Sequence, residues 1–316
     1  MKTALLFPGQ GSQRVGMGSG LVQRFASARR VYDEADDALG FALSRLCFEG
    51  PEADLTLTKH TQPAILATSI AVFRALGEVS EAAGRSVAFD VVAGHSLGEW
   101  SALVAAGAIG FRDAVRLTHL RGLYMQEAVP AGQGAMAAVI GLDAAVLAAV
   151  CQRASAPGEP VEQANFNGAG QIVISGHAAA VDRAVAEARA AGAKRATKLA
   201  VSAPFHCSLM QPAAERLAAA LADVEILAPS VPVVNNATAL PTQDPARIRA
   251  LLVEQVTSPV RWEQSVQAIA ALGVTRALEL GAGSVLRGLV KRICDGIETA
   301  SIGEPHEVDA FAAPAA

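Results

Sequence analysis

Apolar residues along the chain fall into two alternating rhythms. Short runs with few polar interruptions, Thr3 to Phe7, Phe89 to Gly94, Val231 to Asn235 and Arg276 to Leu280, read as strands buried on both faces of a sheet. Between them the spacing becomes helical: Gly20 to Leu76, Glu99 to Ile109, Arg112 to Ala128, Leu209 to Leu221, Ile248 to Val256, Trp262 to Leu272 and Val285 to Arg292. Gly50-Pro51 predicts a break in the first helical region, and Thr61-Gln62-Pro63 a new start with Pro63 in its first turn. Strands alternating with helices predict an α/β fold with a parallel sheet.

From Gly134 to Val201 the order changes. Strand Ala135 to Ile140, helix Ala144 to Arg153, strands Val161 to Asn165 and Gln171 to Ser175, helix Ala178 to Ala191 and strand Arg195 to Val201 give β-α-β-β-α-β, the ferredoxin-like order. Because α/β alternation resumes afterwards, residues 131–200 read as an insertion into a discontinuous core of 1–130 and 201–316. Gly303 to Ala316 lacks clear periodicity and is expected to be a loosely held tail.

Composition narrows the function. Lys plus Arg is 26 and Asp plus Glu 30, a net charge of −4, so no basic excess exists to neutralise a nucleic acid backbone. Cys47, Cys151, Cys207 and Cys294 are scattered without CxxC spacing, which argues against a zinc site or disulfide framework and for reduced thiols. The apolar run before Pro8 is too short for a secretory segment, and the longest apolar stretch, Ser101 to Phe111, is about half of the ~20 residues needed to span a membrane. A cytoplasmic protein with no membrane association is expected.

Gly94-His95-Ser96-Leu97-Gly98 matches the G-x-S-x-G nucleophile elbow and lies between a strand and a helix, the context the motif requires. The turn would lift the Ser96 hydroxyl to the start of the helix, where the Leu97 N–H is a natural oxyanion donor. A serine nucleophile needs a base. Of the six histidines, His95 is tied to the turn beside Ser96, so its side chain should diverge. His206, in Ser202-Ala-Pro-Phe-His206 between a strand and a helix, is the candidate. No acid stands at an obvious strand end, so the pair reads as a dyad with a carbonyl holding the imidazole. Arg121 falls inside the apolar stripe Leu117, Leu120, Tyr124, Met125. A buried guanidinium needs a partner, either a protein carboxylate or the carboxylate of a ligand.

Taken together, Phe7-Pro-Gly-Gln-Gly-Ser-Gln13, Gly94-His-Ser-Leu-Gly-Glu99, Arg121-Gly with Met125-Gln-Glu-Ala, Asn165-Phe-Asn167, Phe205-His206 and Gln255 followed by Pro259-Val-Arg-Trp262 resemble the malonyl-CoA:acyl carrier protein transacylases, from Leu5 to about Ile302. The resemblance implies an α/β-hydrolase-like core with an inserted ferredoxin-like subdomain. It also implies roles: Ser96 as nucleophile, His206 as general base and acid, Arg121 as clamp on the malonyl carboxylate, Gln10 and Leu97 N–H groups as oxyanion hole, and a Gln255 carbonyl on His206. Phe205 is either ordinary packing or a wall against a 2-methyl branch, since malonyl-selective polyketide relatives commonly carry Phe there. The expected reaction is ping-pong malonyl transfer from malonyl-CoA to an acyl carrier protein for fatty acid synthesis, with a trans-acting transferase of a polyketide synthase as the alternative. No metal, no cofactor and a monomer are expected. Because both partners are anionic, positive charge must be local, with Lys194-Arg195 and Lys198, or Arg287 with Lys291-Arg292, as candidates beside the simpler reading of solvated helix faces.

Overall fold

The structure is a computed structural model that describes residues 1–201 and 203–312. Ser202 of the His206 motif and the end of the expected tail, 313–316, lie outside the described residues. In the first half, β1 (Lys2–Phe7), α1 (Ser19–Arg24), α2 (Ala26–Leu39), α3 (Leu43–Glu49), α4 (Glu52–Leu55) and α5 (Thr58–Ala82) lead to β2 (Val91–Gly94), α6 (Gly98–Ala105) and α7 (Phe111–Glu127). The middle holds β3 (Gly134–Ile140), α8 (Ala144–Ala154), β4 (Val161–Gly168), β5 (Gln171–His177), α9 (Ala178–Ala190) and β6 (Arg195–Lys198). A 3₁₀ turn, Ser208–Met210, opens the last part: α10 (Gln211–Leu221), β7 (Val233–Val234), β8 (Pro241–Thr242), α11 (Pro245–Thr257), α12 (Trp262–Ala271), β9 (Val274–Leu280), α13 (Val285–Ile293), β10 (Glu298–Ile302) and α14 (Pro305–Ala312).

The fold is α/β. One sheet runs β10-β9-β1-β2-β7-β8, parallel throughout except for β8, which pairs antiparallel with β7. At its centre, Ala4 to Phe7 are buried, as a strand covered by helices on both faces must be. Each fully buried Leu or Phe there contributes about 1.5–3 kcal/mol. Successive strands are added on opposite sides of β1, with β2 and β7 on one and β9 and β10 on the other. The loops after β1 and β2 therefore frame a crevice at the carboxyl edge of the sheet, where α/β folds place ligands. The second sheet, β4-β5-β3-β6, is antiparallel in every pairing and has the ferredoxin-like strand order.

Three expectations differ from the structure. Residues 303–312 are not a loose tail: they follow β10 at the edge of the parallel sheet, and α14 docks on α5 with Val308 fully buried. Two turns of helix were too short to show a period. The helix expected to start at Thr61 begins at Thr58, which places Pro63 inside α5 rather than in its first turn. Proline cannot donate to Lys59 O, and His119 Nδ1 from α7 takes that carbonyl at 2.8 Å. Nor is the apolar stretch at 101–111 the longest candidate span. The 25-residue α5 passes the length and composition test for a membrane helix, but 72% of its most apolar window is buried inside the molecule, so it reads as a core helix.

The close approach of β1, β2 and α6 depends on glycine. A methyl on Gly94 would sit 1.9 Å from the Gly98 carbonyl carbon, and one on Gly98 would sit 2.0 Å from Phe7 O. Both obstacles are backbone, which cannot swing away. Gly98→Ala is expected to cost about 2–4 kcal/mol in urea unfolding; an unchanged midpoint would show that helix and strand are free to separate.

Candidate active site

The turn after β2 carries the first reactive group. Ser96 has φ 51°, a left-handed conformation costly for a residue with a Cβ, and the strain points its hydroxyl away from the sheet. Asn236, after β7, holds the turn: its Oδ1 accepts from Ser96 N–H at 2.6 Å and its Nδ2 donates to Gly94 O at 2.8 Å. Asn236 is completely buried and was not singled out from the sequence, where it stands just past the expected strand Val231 to Asn235 and looks like an ordinary turn residue.

His206 also sits at positive φ, 60°, in the loop before the 3₁₀ turn. Its Nε2 lies 2.7 Å from Ser96 Oγ, and its Nδ1 lies 2.9 Å from the Gln255 backbone carbonyl. A carbonyl can only accept, so Nδ1 carries the hydrogen and Nε2 presents a lone pair to the serine hydroxyl. The carbonyl is available because Gln255 lies in the last turn of α11 and the residue four further on is Pro259, which has no N–H. The negative end of the α11 dipole thus faces the imidazole. Burial, helped by the nearby Arg121 charge, pushes His206 down to about 3, so it is neutral and able to accept a proton across the neutral range.

Arg121 is 1% exposed and occupies the centre of the buried face of α7, with Leu120 and Tyr124 only half-buried at its margins. Gly122 lets α7 approach α5 closely, since a methyl there would lie 2.5 Å from Thr58 O. Arg121 Nη1 donates to Gln62 Oε1 at 2.7 Å. Its Nη2 donates to Gln255 Oε1 at 3.1 Å and Ser96 Oγ at 3.3 Å, while Nε has no partner among the described residues. No described carboxylate lies within ion-pair distance of it. Of the two partners the sequence left open, the protein carboxylate is therefore absent among the described residues. Burial lowers the guanidinium to about 10, with Glu99 opposing the shift; it stays charged at neutral pH.

These groups open into a cavity of about 610 Å³ that Gln10, Leu97, Phe205, Gln62 and Asn167 also line. The walls include Met136, Ala138 and Val173 from the antiparallel sheet. Gln10 and Leu97 donate their backbone N–H groups to no acceptor among the described residues. Phe205 is 8% exposed, next to His206. His95 turns away from Ser96, and its Nε2 meets Asn167 Oδ1 at 2.9 Å. The structure thus brings six of the sequence candidates, Ser96, His206, Arg121, Gln10, Leu97 and Phe205, to one cleft, with the seventh, Gln255, buried behind it against His206 and Arg121. The sequence reading missed Asn236, Glu99 and the contact of Gln62 with Arg121. The signal for Gln62 was available: it stands one residue before Pro63 on a helix face that meets α7.

The sequence profile of the acyl transferase domain family matches residues 4–306. The malonyl CoA-acyl carrier protein transacylase of Salmonella typhimurium is 49% identical over 307 residues, 97% of each chain. That of Bacillus subtilis is 48% identical over 98% of this chain and 95% of its own. Among solved structures, the acyl-carrier-protein S-malonyltransferase of Bartonella henselae superposes with TM-score 0.93 at 48% identity, covering 98% of both chains. A malonyl-transacylase in complex with its type II polyketide synthase acyl-carrier protein superposes with TM-score 0.94 at 45% identity, covering 98% of this chain and 99% of its own.

Two outcomes follow from the geometry. Asn236→Ala should lower stability by about 2–4 kcal/mol in urea, because it strands the Ser96 N–H and Gly94 carbonyl; a loss below about 0.5 kcal/mol would contradict its bracing role. By NMR, the His206 imidazole should not titrate between pH 8 and 5, whereas an inflection near its ordinary 6.5 would contradict the burial argument. The sign for stability follows: with the folded value depressed, the contribution of neutral His206 is present above 6.5 and is lost as pH falls toward 3.

Proposed function

Because the chain belongs to the malonyl-CoA:acyl carrier protein transacylase family and is an acyltransferase, we propose that it moves malonyl from malonyl-CoA to the phosphopantetheine thiol of an acyl carrier protein through a malonyl ester on Ser96. The observation that carries this reading is Arg121: a buried guanidinium, 3.3 Å from the Ser96 hydroxyl, bonded only to amide and hydroxyl oxygens. A group so placed suits an acyl chain that ends in a carboxylate.

In the first half-reaction His206 Nε2 takes the hydroxyl proton as Ser96 Oγ attacks the thioester carbon. The Gln10 and Leu97 N–H groups stabilise the oxyanion. Collapse of the intermediate breaks the carbon–sulfur bond, and His206 returns its proton to the departing coenzyme A sulfur. The second half-reaction repeats these steps in reverse with the carrier thiol as nucleophile and Ser96 as leaving group. An acetyl group would leave Arg121 without an anion, which is the basis of selectivity. The reading calls for no metal or cofactor, since nucleophile, base and charge clamp are all side chains of the chain. Residues 131–200 act as an inserted subdomain whose sheet walls the cleft, and the enzyme works as a cytoplasmic monomer in fatty acid synthesis.

For the outer contacts, α13 offers exposed Arg287, Lys291 and Arg292 beside the cleft loops, whereas Lys198 is paired with Asp182 at 2.8 Å. A polyketide carrier is the second reading, since a transacylase of 45% identity was solved with such a carrier.

Incubation with malonyl-CoA and no acceptor should add one malonyl mass to the Ser96 peptide, and release of free malonate without an adduct would contradict the ester. Arg121→Ala should lower kcat/KM for malonyl-CoA by about 10²-fold or more while sparing acetyl-CoA. Equal losses would make Arg121 structural. Phe205→Ser should relax rejection of methylmalonyl-CoA; unchanged discrimination would leave Phe205 as packing.

A further inference from the structure

Glu99, in the first turn of α6, is 2% exposed, and the proposed chemistry gives it no task. Its Oε2 accepts from Asn236 N–H at 2.8 Å and Gln255 Nε2 at 2.7 Å. The same Gln255 amide presents its Oε1 to Arg121 Nη2 at 3.1 Å. A cation on the amide oxygen and an anion on the amide nitrogen fix its orientation, since a flip would set donor against donor and acceptor against acceptor. Before an acyl group docks, the site therefore holds one positive and one negative charge, joined through a neutral amide and shielded from water. A malonyl carboxylate on Arg121 would add a second anion to this dry cluster and leave it with a net negative charge, which a low-dielectric interior opposes.

We propose that Glu99 is the resident countercharge of Arg121, coupled to it through Gln255, and that it takes up a proton from solvent when an acyl carboxylate docks on Arg121. Glu99 is a positioning residue on this view: ionised, it holds the Gln255 amide and balances the empty clamp; protonated, it yields the clamp to substrate. The proton goes to the carboxyl oxygen that Asn236 and Gln255 leave free. Among the elements packed around α6, α7 brings Arg121, α5 brings the neutral amide of Gln62, and β1 from Ala4 onward, β2 and β7 bring uncharged side chains, while the neutral amide of Gln255 reaches in from α11. Arg121 is the charge that acts on Glu99. Burial already holds the carboxyl at about 7, where a second anion nearby would tip it to the neutral form.

The inference rests on the malonyl reading and is tested with it. Thioester exchange with a serine is proton-neutral near pH 7.5, because the thiol leaves protonated. Any proton change therefore reports the protein. Malonyl-CoA is added to the whole enzyme without acceptor in weak buffer with a pH indicator, and proton uptake is normalised to the Ser96 malonyl adduct measured by mass. At pH 7.5 the wild type should take up about half a proton or more per adduct, fading toward zero by pH 5.5, where Glu99 is already protonated. Glu99→Gln keeps an oxygen for both donors and should reduce the uptake to near zero. Full adduct without uptake, or equal uptake in the variant, overturns the proposal. Uptake that grows toward pH 5.5 assigns the proton to His206 and overturns it as well. Should the variant fail to fold or to react, the wild-type pH series decides alone. Absence of any adduct removes the malonyl reading, and this inference with it.

Discussion

A guanidinium sealed inside a protein, with no carboxylate of the described residues beside it, is the constraint around which this molecule is arranged. Removing a cation from water costs several kcal/mol unless its hydrogens are met. Arg121 meets only part of that need, with oxygens from Gln62, Gln255 and Ser96. Each contact requires an element to come close: Gly122 admits α5, and α11 ends where Gln255 can reach both Arg121 and the turn that carries Ser96. Amides in place of acids leave the charge unspent, so the cavity keeps an attraction for an anion. Glu99 lies one amide further away, near enough to be felt and too far to form an ion pair.

Gln255 joins the two halves of the site. Its backbone carbonyl fixes the tautomer of His206, and its side chain bonds Arg121, Glu99 and the Ser96 carbonyl at 3.1 Å. The proposed base, clamp and nucleophile turn therefore share one residue near the end of one helix, and movement of α11 would disturb all three. Left-handed backbone at both Ser96 and His206 shows the same priority, local strain accepted to set two side chains 2.7 Å apart.

What the sequence disclosed and what it hid divide along the range of the interactions. The elbow was legible because strand, glycines and helix start are contiguous, so local sterics carry the whole signal. Arg121 was legible as an anomaly, a charge within an apolar stripe, but whether a carboxylate met it depended on residues 59 and 134 positions away. Asn236 gave no local sign, because its work is done across 140 residues on the Ser96 N–H. In the fold, the long amphipathic helices and the β-α-β-β-α-β order were readable from periodicity. Strand β10 and helix α14 were not, since each is short and owes its form to the sheet edge and to α5. Pro63 misled for a related reason: the helix tolerates it because His119, from another helix, takes the carbonyl that proline cannot.

The central claim, that Arg121 is kept free of protein carboxylates so that it can hold the carboxylate of the acyl group, is most directly tested by a structure of the chain after reaction with malonyl-CoA. The account predicts an ester on Ser96 whose distal carboxylate accepts hydrogen bonds from Arg121, with Gln62 still in place beside it. An ester whose carboxylate points out into the solvent-facing cleft, with Arg121 bonded only to Gln62 and Gln255 as before, would contradict it.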